Sequence, residues 1–282
     1  MRLRWLILCV VVMSAGLGTV PTGQAERRAP QCGSEAGLRV MTYNIRTGLG
    51  VRHPGANPRH HLFDSHDIAP VAAAIAAADP DVVALQEVLG WGQAGRLARR
   101  LNMDHHFVFH PSPFPWWGTA ILSKCALKDR TRVVTSRGAG NGKAMAVARV
   151  DVRGTPIVVS SVHRDRDDNS GAQVTRILEA LPTDAPVVLA GDFNFEPDDS
   201  RHARVTKRFD DTVARAAQGA NLVAARGTYP SVPFGKRGRR IDYIYVSDGF
   251  EVRSVAVIEG LHAQASDHLA LVAHVRWKTK QN

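Results

Sequence analysis

The stretch VVLAGDFNFEP, residues 187–197, places a carboxylate and a carboxamide directly after a short apolar run. Its first four residues have the composition of a buried strand, and Asp192 and Asn194 follow after one glycine. Ligand sites in open α/β sheets form at the carboxyl ends of strands, so this polar pair is a candidate for chemistry. Tight turns also favour glycine, aspartate and asparagine, and the stretch alone leaves both interpretations open.

The first 25 residues predict a secretory signal peptide. They combine Arg2 and Arg4, an apolar run from Trp5 to Met13, and a Gly-Gln-Ala ending. The apolar run is too short to span a bilayer, and no later stretch is longer and equally apolar. We therefore expect a secreted protein without a transmembrane segment.

Residues 26–37 have the composition of a polar tail, and residues 38–278 of one domain with a large core. We expect a monomer. Cys32 and Cys125 remain after removal of the signal, and in an exported protein they can pair. Two cysteines are too few for a thiolate zinc site.

The chain is strongly basic. Its formal net charge is +10, and loss of the two arginines of the signal leaves about +8. Such an excess favours polyanionic partners, either nucleic acid or an anionic lipid surface, and does not choose between them.

Polar residues recur at the ends of predicted strands. The strands LRVMTYNI, DVVALQE and PIVVSSVH end at or near Asn44, Glu87 and His163, and Asp267-His268 begin the segment SDHLALVAHVRW. Strands interleaved with a few helices indicate a mixed sheet architecture with helices outside. Oxygen ligands suit Mg²⁺, Mn²⁺ or Ca²⁺, and a histidine supplies a base with a pKa near neutral. These residues include every part that metal-assisted phosphoester hydrolysis needs.

The order of these segments makes the prediction specific. MTYNI, ALQEV, WGTAILSK, VVSSVH, GDFN, RIDYIYVS and SDHLAL occur in this order over Met41–Leu271 and closely resemble the endonuclease/exonuclease/phosphatase superfamily. The resemblance covers nearly the whole mature chain. It implies an α/β protein with the deoxyribonuclease-like four-layer α/β sandwich, in which two packed mixed β-sheets are flanked by helices. It also implies a divalent cofactor, Mg²⁺ first, with Mn²⁺ or Ca²⁺ as alternatives.

The resemblance assigns the metal site to three residues. It implies that Glu87 is the chief metal ligand and that Asn44 and Asp267 help in or near the same coordination sphere. An unpaired carboxylate after an apolar run is costly, which favours a functional role for Glu87. As a single residue, Asn44 fits the simple end of a strand better than a functional role.

Five further residues receive catalytic roles from the same resemblance. Asp192 would position or activate the attacking water, and Asn194 would hold the phosphate or orient Asp192. His163 would donate to a non-bridging phosphate oxygen. His268, steered by Asp242, would act as general base or contact the phosphate. Whether Asp192 or His268 takes the proton of the water stays open.

Substrate contacts are predicted from one departure from the pattern of the superfamily and from one run of basic residues. Thr119 stands where many relatives have asparagine before AILS, which implies an altered substrate contact. The run GKRGRR, residues 235–240, leads directly into IDY, so we expect Lys236 and Arg240 near the site, where they could hold a polyanion. Arg164 is expected to be a solvated arginine.

The leading hypothesis is a secreted, divalent-metal-dependent phosphoesterase that hydrolyses phosphodiester bonds. The net positive charge of the chain and the arginine cluster GKRGRR favour a nuclease. Two enzymatic alternatives stay open, a sphingomyelinase-like phospholipid head-group hydrolase and an inositol-phosphate phosphatase. A catalytically inactive polyanion-binding protein is the alternative of another class, and the competent residues at every expected position argue against it.

Overall fold

The computed structural model describes residues 33–34, 37–50, 67–111, 116–137, 142–216, 227–231 and 238–278. The predicted signal peptide, most of the predicted tail, Cys32 and Lys236 lie outside the described residues, so the predictions made for them stay predictions. No helix among the described residues is long and apolar enough to cross a membrane.

The described residues contain twelve strands and five α-helices. The strands are β1 (Leu38–Asn44), β2 (Val82–Val88), β3 (Asp104–Phe109), β4 (Gly118–Ser123), β5 (Lys128–Ser136), β6 (Lys143–Val152), β7 (Thr155–His163), β8 (Val187–Asp192), β9 (Asp210–Asp211), β10 (Asp242–Val246), β11 (Phe250–Val257) and β12 (Leu271–Trp277). The helices are α1 (Ala69–Ala78), α2 (Gly90–Leu101), α3 (Ala172–Glu179), α4 (Ser200–Thr206) and α5 (Thr212–Arg215).

These strands form two six-stranded sheets among the described residues. The first sheet has the order β11-β12-β1-β2-β4-β3 and the second the order β5-β6-β7-β8-β10-β9. Each sheet contains one parallel pair, β1–β2 in the first and β7–β8 in the second, and its other pairs are antiparallel. Both sheets are therefore mixed.

Three apolar layers hold the sheets and helices together. Val82 and Ala84 of β2 point into a core between the two sheets, while Val83 and Leu85 point into a core that also contains residues of α1 and α2. A third core joins the second sheet to α3 and α4. A strand covered on both faces is apolar throughout, which explains the continuous apolar runs in the sequence. The predicted four-layer α/β sandwich is confirmed.

Two strand predictions differ from the structure. β5 was not predicted, because KDRTRVVTS is an edge strand whose first half is exposed and which lacks an apolar run. The last strand begins at Leu271, so Asp267 and His268 lie in the loop that precedes it. This loop lets both side chains turn toward the neighbouring sheet edge.

Candidate active site

The sequence-predicted polar residues meet at one edge of the sandwich. Asn44 and Glu87 lie at the ends of the parallel strands β1 and β2 in the first sheet. In the second sheet, His163 is directly opposite Asp192 across the parallel pair β7–β8, and Asp242 is opposite Asp192 across β8–β10. Parallel strands end at the same sheet edge, so these side chains come together from distant parts of the chain.

Asn44 connects the two sheets at this edge. Its amide nitrogen Nδ2 donates to Asp192 Oδ2 at 3.0 Å and to Glu87 Oε1 at 3.3 Å. Its amide oxygen accepts the backbone N–H of Arg46 at 3.1 Å. In this arrangement Asn44 orients both carboxylates, and its role as a metal ligand, which requires the amide oxygen, stays a prediction.

The backbone around Glu87 directs its side chain into the site. Glu87 has a φ of 53°, and the pairing of β2 with β4 shifts register between Leu85 and Val88. An irregularity of this kind breaks the alternation of side chains along a strand and can re-aim one of them. A positive φ is uncommon for a residue other than glycine. Glu87 therefore faces the pocket.

Asn194 stabilises the turn that follows β8. Its backbone N–H donates to Asp192 Oδ1 at 3.0 Å, and its side-chain Nδ2 donates to the carbonyl oxygen of Arg164 at 3.0 Å. Its φ of 53° is one that asparagine tolerates better than most residues. The turn chemistry suggested by GDFN is present, and the same turn orients Asp192.

His268 forms a buried pair with Asp242. Its Nδ1 lies 2.9 Å from Asp242 Oδ2, and its Nε2 lies 3.8 Å from Asp192 Oδ2. Burial lowers the pKa of His268, but the charges of Asp242 and Asp192 and the hydrogen bond to Asp242 outweigh it and raise this pKa to about 10. Burial and the charge of Asp242 raise the pKa of Asp192. The pKa values of His268 and Asp192 therefore depend on each other's charge.

His163 lies on the other side of Asp192 in different surroundings. Its Nε2 is 3.8 Å from Asp192 Oδ2 and 4.0 Å from Glu87 Oε1. Burial, then the positive charge of Lys143 and the neighbouring His110, hold the pKa of His163 well below its ordinary value. A neutral His163 can donate one hydrogen bond toward the site.

The residues at this edge fit a divalent cation. Glu87 and Asp267 both line the pocket, and their oxygens are hard ligands of the kind that Mg²⁺ and Mn²⁺ prefer. Burial raises the pKa of Glu87. The charge of His268 lowers this pKa and the charge of Asp267 raises it further. A cation bound beside the two carboxylates would favour their ionised forms. Asp192, Asp242 and His268 form a second group, with ligand atoms within 4.8 Å of one another. In this second group, Asp242 Oδ2 and His268 Nδ1 are already joined by a hydrogen bond of 2.9 Å.

A pocket of about 370 Å³ opens onto these groups. It is also lined by Lys143, Trp117, Tyr229 and Arg239. Lys143 and Tyr229 were not predicted near the site, whereas Arg239 belongs to the predicted basic run. Lys143 is buried at the start of β6, with its Nζ 5.0 Å from the ring centre of Trp117. A lysine that opens an apolar strand was the available signal in the sequence, since a buried lysine needs a compensating partner.

The surroundings of Arg164 differ from those that the sequence suggested. Arg164 is wrongly predicted as solvated: it is fully buried and donates to the carbonyl oxygens of Phe193 and Asp168. A guanidinium can be buried here because backbone carbonyls of the active-site turn accept its protons.

Neither Thr119 nor Arg240 lines the pocket in this structure. The hydroxyl of Thr119 donates to the carbonyl oxygen of Ala144 at 3.5 Å. Arg240 NH1 lies 2.8 Å from Asp211 Oδ2, and the guanidinium covers the ring of Tyr243. Of residues 238–240, the described part of the predicted basic run, Arg239 lines the pocket.

Comparison with known proteins gives consistent results. The model of the Endonuclease/Exonuclease/phosphatase family matches residues 41–268. Among solved structures, the endonuclease/exonuclease/phosphatase from Beutenbergia cavernae DSM 12333 is 25% identical with a TM-score of 0.69, and the match covers 86% of this chain and 72% of that one. No curated protein matches this chain in sequence.

Two more distant structures share the fold. The mannosyl-6-phosphatase from Bacteroides thetaiotaomicron VPI-5482 is 18% identical with a TM-score of 0.67, over 85% of this chain and 100% of that one. The catalytic domain of human Nocturnin, solved with a bound sulfate anion, is 20% identical with a TM-score of 0.62, over 86% of this chain and 94% of that one.

Proposed function

Because the chain belongs to the endonuclease/exonuclease/phosphatase family, whose members hydrolyse phosphoesters, we propose that it is a divalent-metal-dependent phosphodiesterase acting on nucleic acid. One observation carries the proposal. Glu87 of the first sheet, His163 of the second and His268 line one pocket, and the buried Asp192 and Asp242 are hydrogen-bonded to Asn44 and His268 at the same edge. This set contains ligands for a cation, groups that bind a water and a donor for a phosphate oxygen.

The roles of the residues follow from their contacts. A cation bound by Glu87 and Asp267 supplies polarisation of the phosphoryl oxygen and neutralises developing charge. Asp242 holds His268 through Nδ1, which leaves Nε2 directed toward Asp192 at 3.8 Å. Asp192 and His268 then bind the attacking water between them. The raised pKa of His268, about 10, keeps its imidazole protonated near neutral pH, so Asp192 accepts the proton of the water.

His163 completes the site from the opposite side. As a neutral imidazole it donates from Nε2 to a non-bridging phosphate oxygen, where negative charge grows in the transition state. Lys143 adds a positive charge to the same wall of the pocket. Its pKa is lowered by burial, but the carboxylates of Glu87, Asp165 and Asp192 favour its charged form.

Charge and aromatic side chains support nucleic acid as the substrate. Lys143, Arg166 and Arg239 line the pocket, and the chain carries a formal net charge of +10. Trp117 and Tyr229 line it as well, beside His163 and His268 respectively. Aromatic side chains of this kind stack on bases, which inositol phosphates lack. Secretion, inferred from the first 25 residues, is part of the same proposal.

A second candidate is a phospholipid head-group hydrolase, and exposed tryptophans favour it. Trp91 and Trp116 are 66% and 69% exposed, respectively. They are near each other, since a Cβ at Gly90 would lie 4.0 Å from the carbonyl oxygen of Trp116. Trp116 directly precedes Trp117, which lines the pocket. Tryptophan is suited to a membrane interface.

The two candidates are separated by a substrate panel. Purified protein is incubated with Mg²⁺, Mn²⁺ or Ca²⁺ and with single-stranded DNA, duplex DNA, RNA, sphingomyelin vesicles or inositol phosphates, with Asp192→Ala as the control. We expect cleavage of nucleic acid that falls steeply with salt and is lost in the control. Phosphocholine release that depends on Trp91 and Trp116 would assign the lipid instead. Inactivity on every substrate would contradict both.

A further inference from the structure

His110 and His163 form a buried pair of imidazoles at the edge of the site. His110 directly follows β3, His163 ends β7, and their ring centres are 5.7 Å apart. Each ring has one buried nitrogen without a hydrogen-bond partner among the described residues, Nε2 in His110 and Nδ1 in His163. Buried polar atoms are nearly always paired, so two unpaired atoms on neighbouring rings require an explanation.

The backbone determines the tautomer of His110. The N–H of Ala144 donates to His110 Nδ1 at 3.1 Å, so this nitrogen carries a lone pair. Burial and the charge of Lys143 lower the pKa of His110 to about 3, which keeps the ring neutral. A neutral imidazole that accepts at Nδ1 has its proton on Nε2. His110 therefore has one N–H donor left, and it is the unpaired atom.

The tautomer of His163 decides what this residue can do. Its Nε2 faces the carboxylates of Asp192 and Glu87 at 3.8 and 4.0 Å, and its Nδ1 is the buried, unpaired atom. With the proton on Nε2, His163 donates into the site. With the proton on Nδ1, it would present a lone pair to two carboxylates and to a phosphate oxygen, which is repulsive.

We propose that His110 is a positioning residue that fixes His163 in its Nε2–H tautomer through a hydrogen bond from His110 Nε2 to His163 Nδ1. Two imidazoles joined by an N···N hydrogen bond of about 3.0 Å have ring centres about 5 Å apart, close to the 5.7 Å between the centres of His110 and His163. The chain then runs from Ala144 N–H through His110 to His163. Its last step, to a phosphate oxygen, rests on the proposed function, whereas the tautomer does not.

Three variants test the proposal in the full chain. His110→Phe removes both ring nitrogens and keeps a planar ring. His110→Gln keeps an amide N–H near the position of Nε2, so it should still donate to His163. His106→Phe is the matched control, since His106 is on the same strand and contacts the carbonyl oxygen of Thr131 at 3.0 Å, away from the pocket. Circular dichroism establishes which variants fold.

The first measurement determines the tautomer of His163 in metal-free protein. Long-range ¹H–¹⁵N spectra of the imidazoles report the tautomer, and the signal of His163 is assigned by its loss in His163→Gln. We expect the Nε2–H form in the wild type, His110→Gln and His106→Phe, and Nδ1–H or an averaged form in His110→Phe. A wild type in the Nδ1–H form would overturn the proposal, as would an unchanged tautomer in His110→Phe. If His110→Phe does not fold, the tautomer of His163 in the wild type and in His110→Gln tests the proposal.

The second measurement is turnover of bis-p-nitrophenyl phosphate with Mg²⁺ or Mn²⁺. We expect kcat to fall about 10- to 100-fold in His110→Phe, as for partners that orient an active-site histidine, and to return to near wild type in His110→Gln. Equal losses in both variants would contradict the proposed hydrogen bond. A wild type without activity on any phosphoester would contradict the proposed function, and the spectra would still decide the tautomer.

Discussion

His163 and His268 lie on opposite sides of Asp192, each with its Nε2 3.8 Å from Asp192 Oδ2, and both are buried. Their surroundings differ in the sign of the charge. His268 is bonded to Asp242, and carboxylates raise its pKa to about 10. His163 is near Lys143, and burial and that charge hold its pKa well below the ordinary range. Although both histidines are buried at the same distance from Asp192, His268 binds a proton and His163 is a neutral donor.

This difference divides the chemistry of the site. The side with Asp242 and His268 suits proton transfer, because two carboxylates stabilise the imidazolium of His268 and Asp192 beside it can accept a proton. The side with His163 suits stabilisation of charge on the phosphate without proton transfer. Asp192 is shared by both sides and receives the hydrogen bond from Asn44.

The largest expected effect comes from the shared residue. Asp192→Asn removes the carboxylate that both histidines face, so we expect kcat to fall about 10⁴-fold, at the upper end for general acid–base groups. Steady-state turnover of bis-p-nitrophenyl phosphate measures the loss. A loss smaller than that in either histidine variant would show that the two sides work independently of Asp192.

The next effect tests the side with His268. We expect His268→Gln and Asp242→Asn each to lower kcat about 10²- to 10³-fold, because Asp242 acts through the imidazole. The double variant should lose no more than either single one. Additive losses in kcat would contradict the assignment of Asp242 as the partner that orients His268.

A smaller effect is expected on the side with His163. His163→Phe removes one donor to the phosphate, and we expect a loss of about 10²-fold in kcat. The affinity for the divalent cation, measured by calorimetry, should stay near that of the wild type. A large loss of cation affinity would make His163 part of the metal site.

The smallest effect concerns stability in the metal-free protein. The folded-state pKa of His268, about 10, is above its ordinary value of 6.5, so its contribution is complete below pH 6.5 and is lost as pH rises toward 10. The folded-state pKa of His163 is lowered, so protonation of the unfolded chain reduces stability as pH falls below 6.5.

Urea unfolding with a chelator, between pH 5 and 10, checks these opposite signs. We expect His268→Gln to flatten the alkaline decline in the free energy of unfolding and His163→Gln to flatten the acidic decline. The same pH profile in both variants would contradict the electrostatic difference between the two sides.

Most of the fold was predictable from the sequence for one physical reason. Strands covered on both faces are continuously apolar, and this made β1, β2, β7 and β8 recognisable. The exposed edge strand β5 has no such run, so its pairing with β6 decides its conformation. Asp267 and His268 were placed in the last strand because nothing local marks Leu271 as its start.

The site was predictable to the extent that its residues lie at strand ends. Asn44, Glu87, His163 and Asp192 end strands, and the superfamily resemblance added roles for Asp242 and His268. Lys143 carries a weaker signal, since it is a lysine that opens an apolar strand, and Tyr229 lies between α5 and β10, away from any strand end. Their position in the pocket depends on packing between distant segments.

The strand-end motifs and the family resemblance that they carry determined the predicted sandwich and the polar residues that meet at its edge, because such motifs are local properties of the sequence. The resemblance also paired Asp242 with His268, whereas only the tertiary structure decided which charges surround His163. Arg164 turned out buried against backbone carbonyls, Lys143 came to lie near His163, and His110 placed an unpaired donor beside His163. Electrostatic environment depends on neighbours far apart in the chain, and the two packed sheets bring those neighbours together.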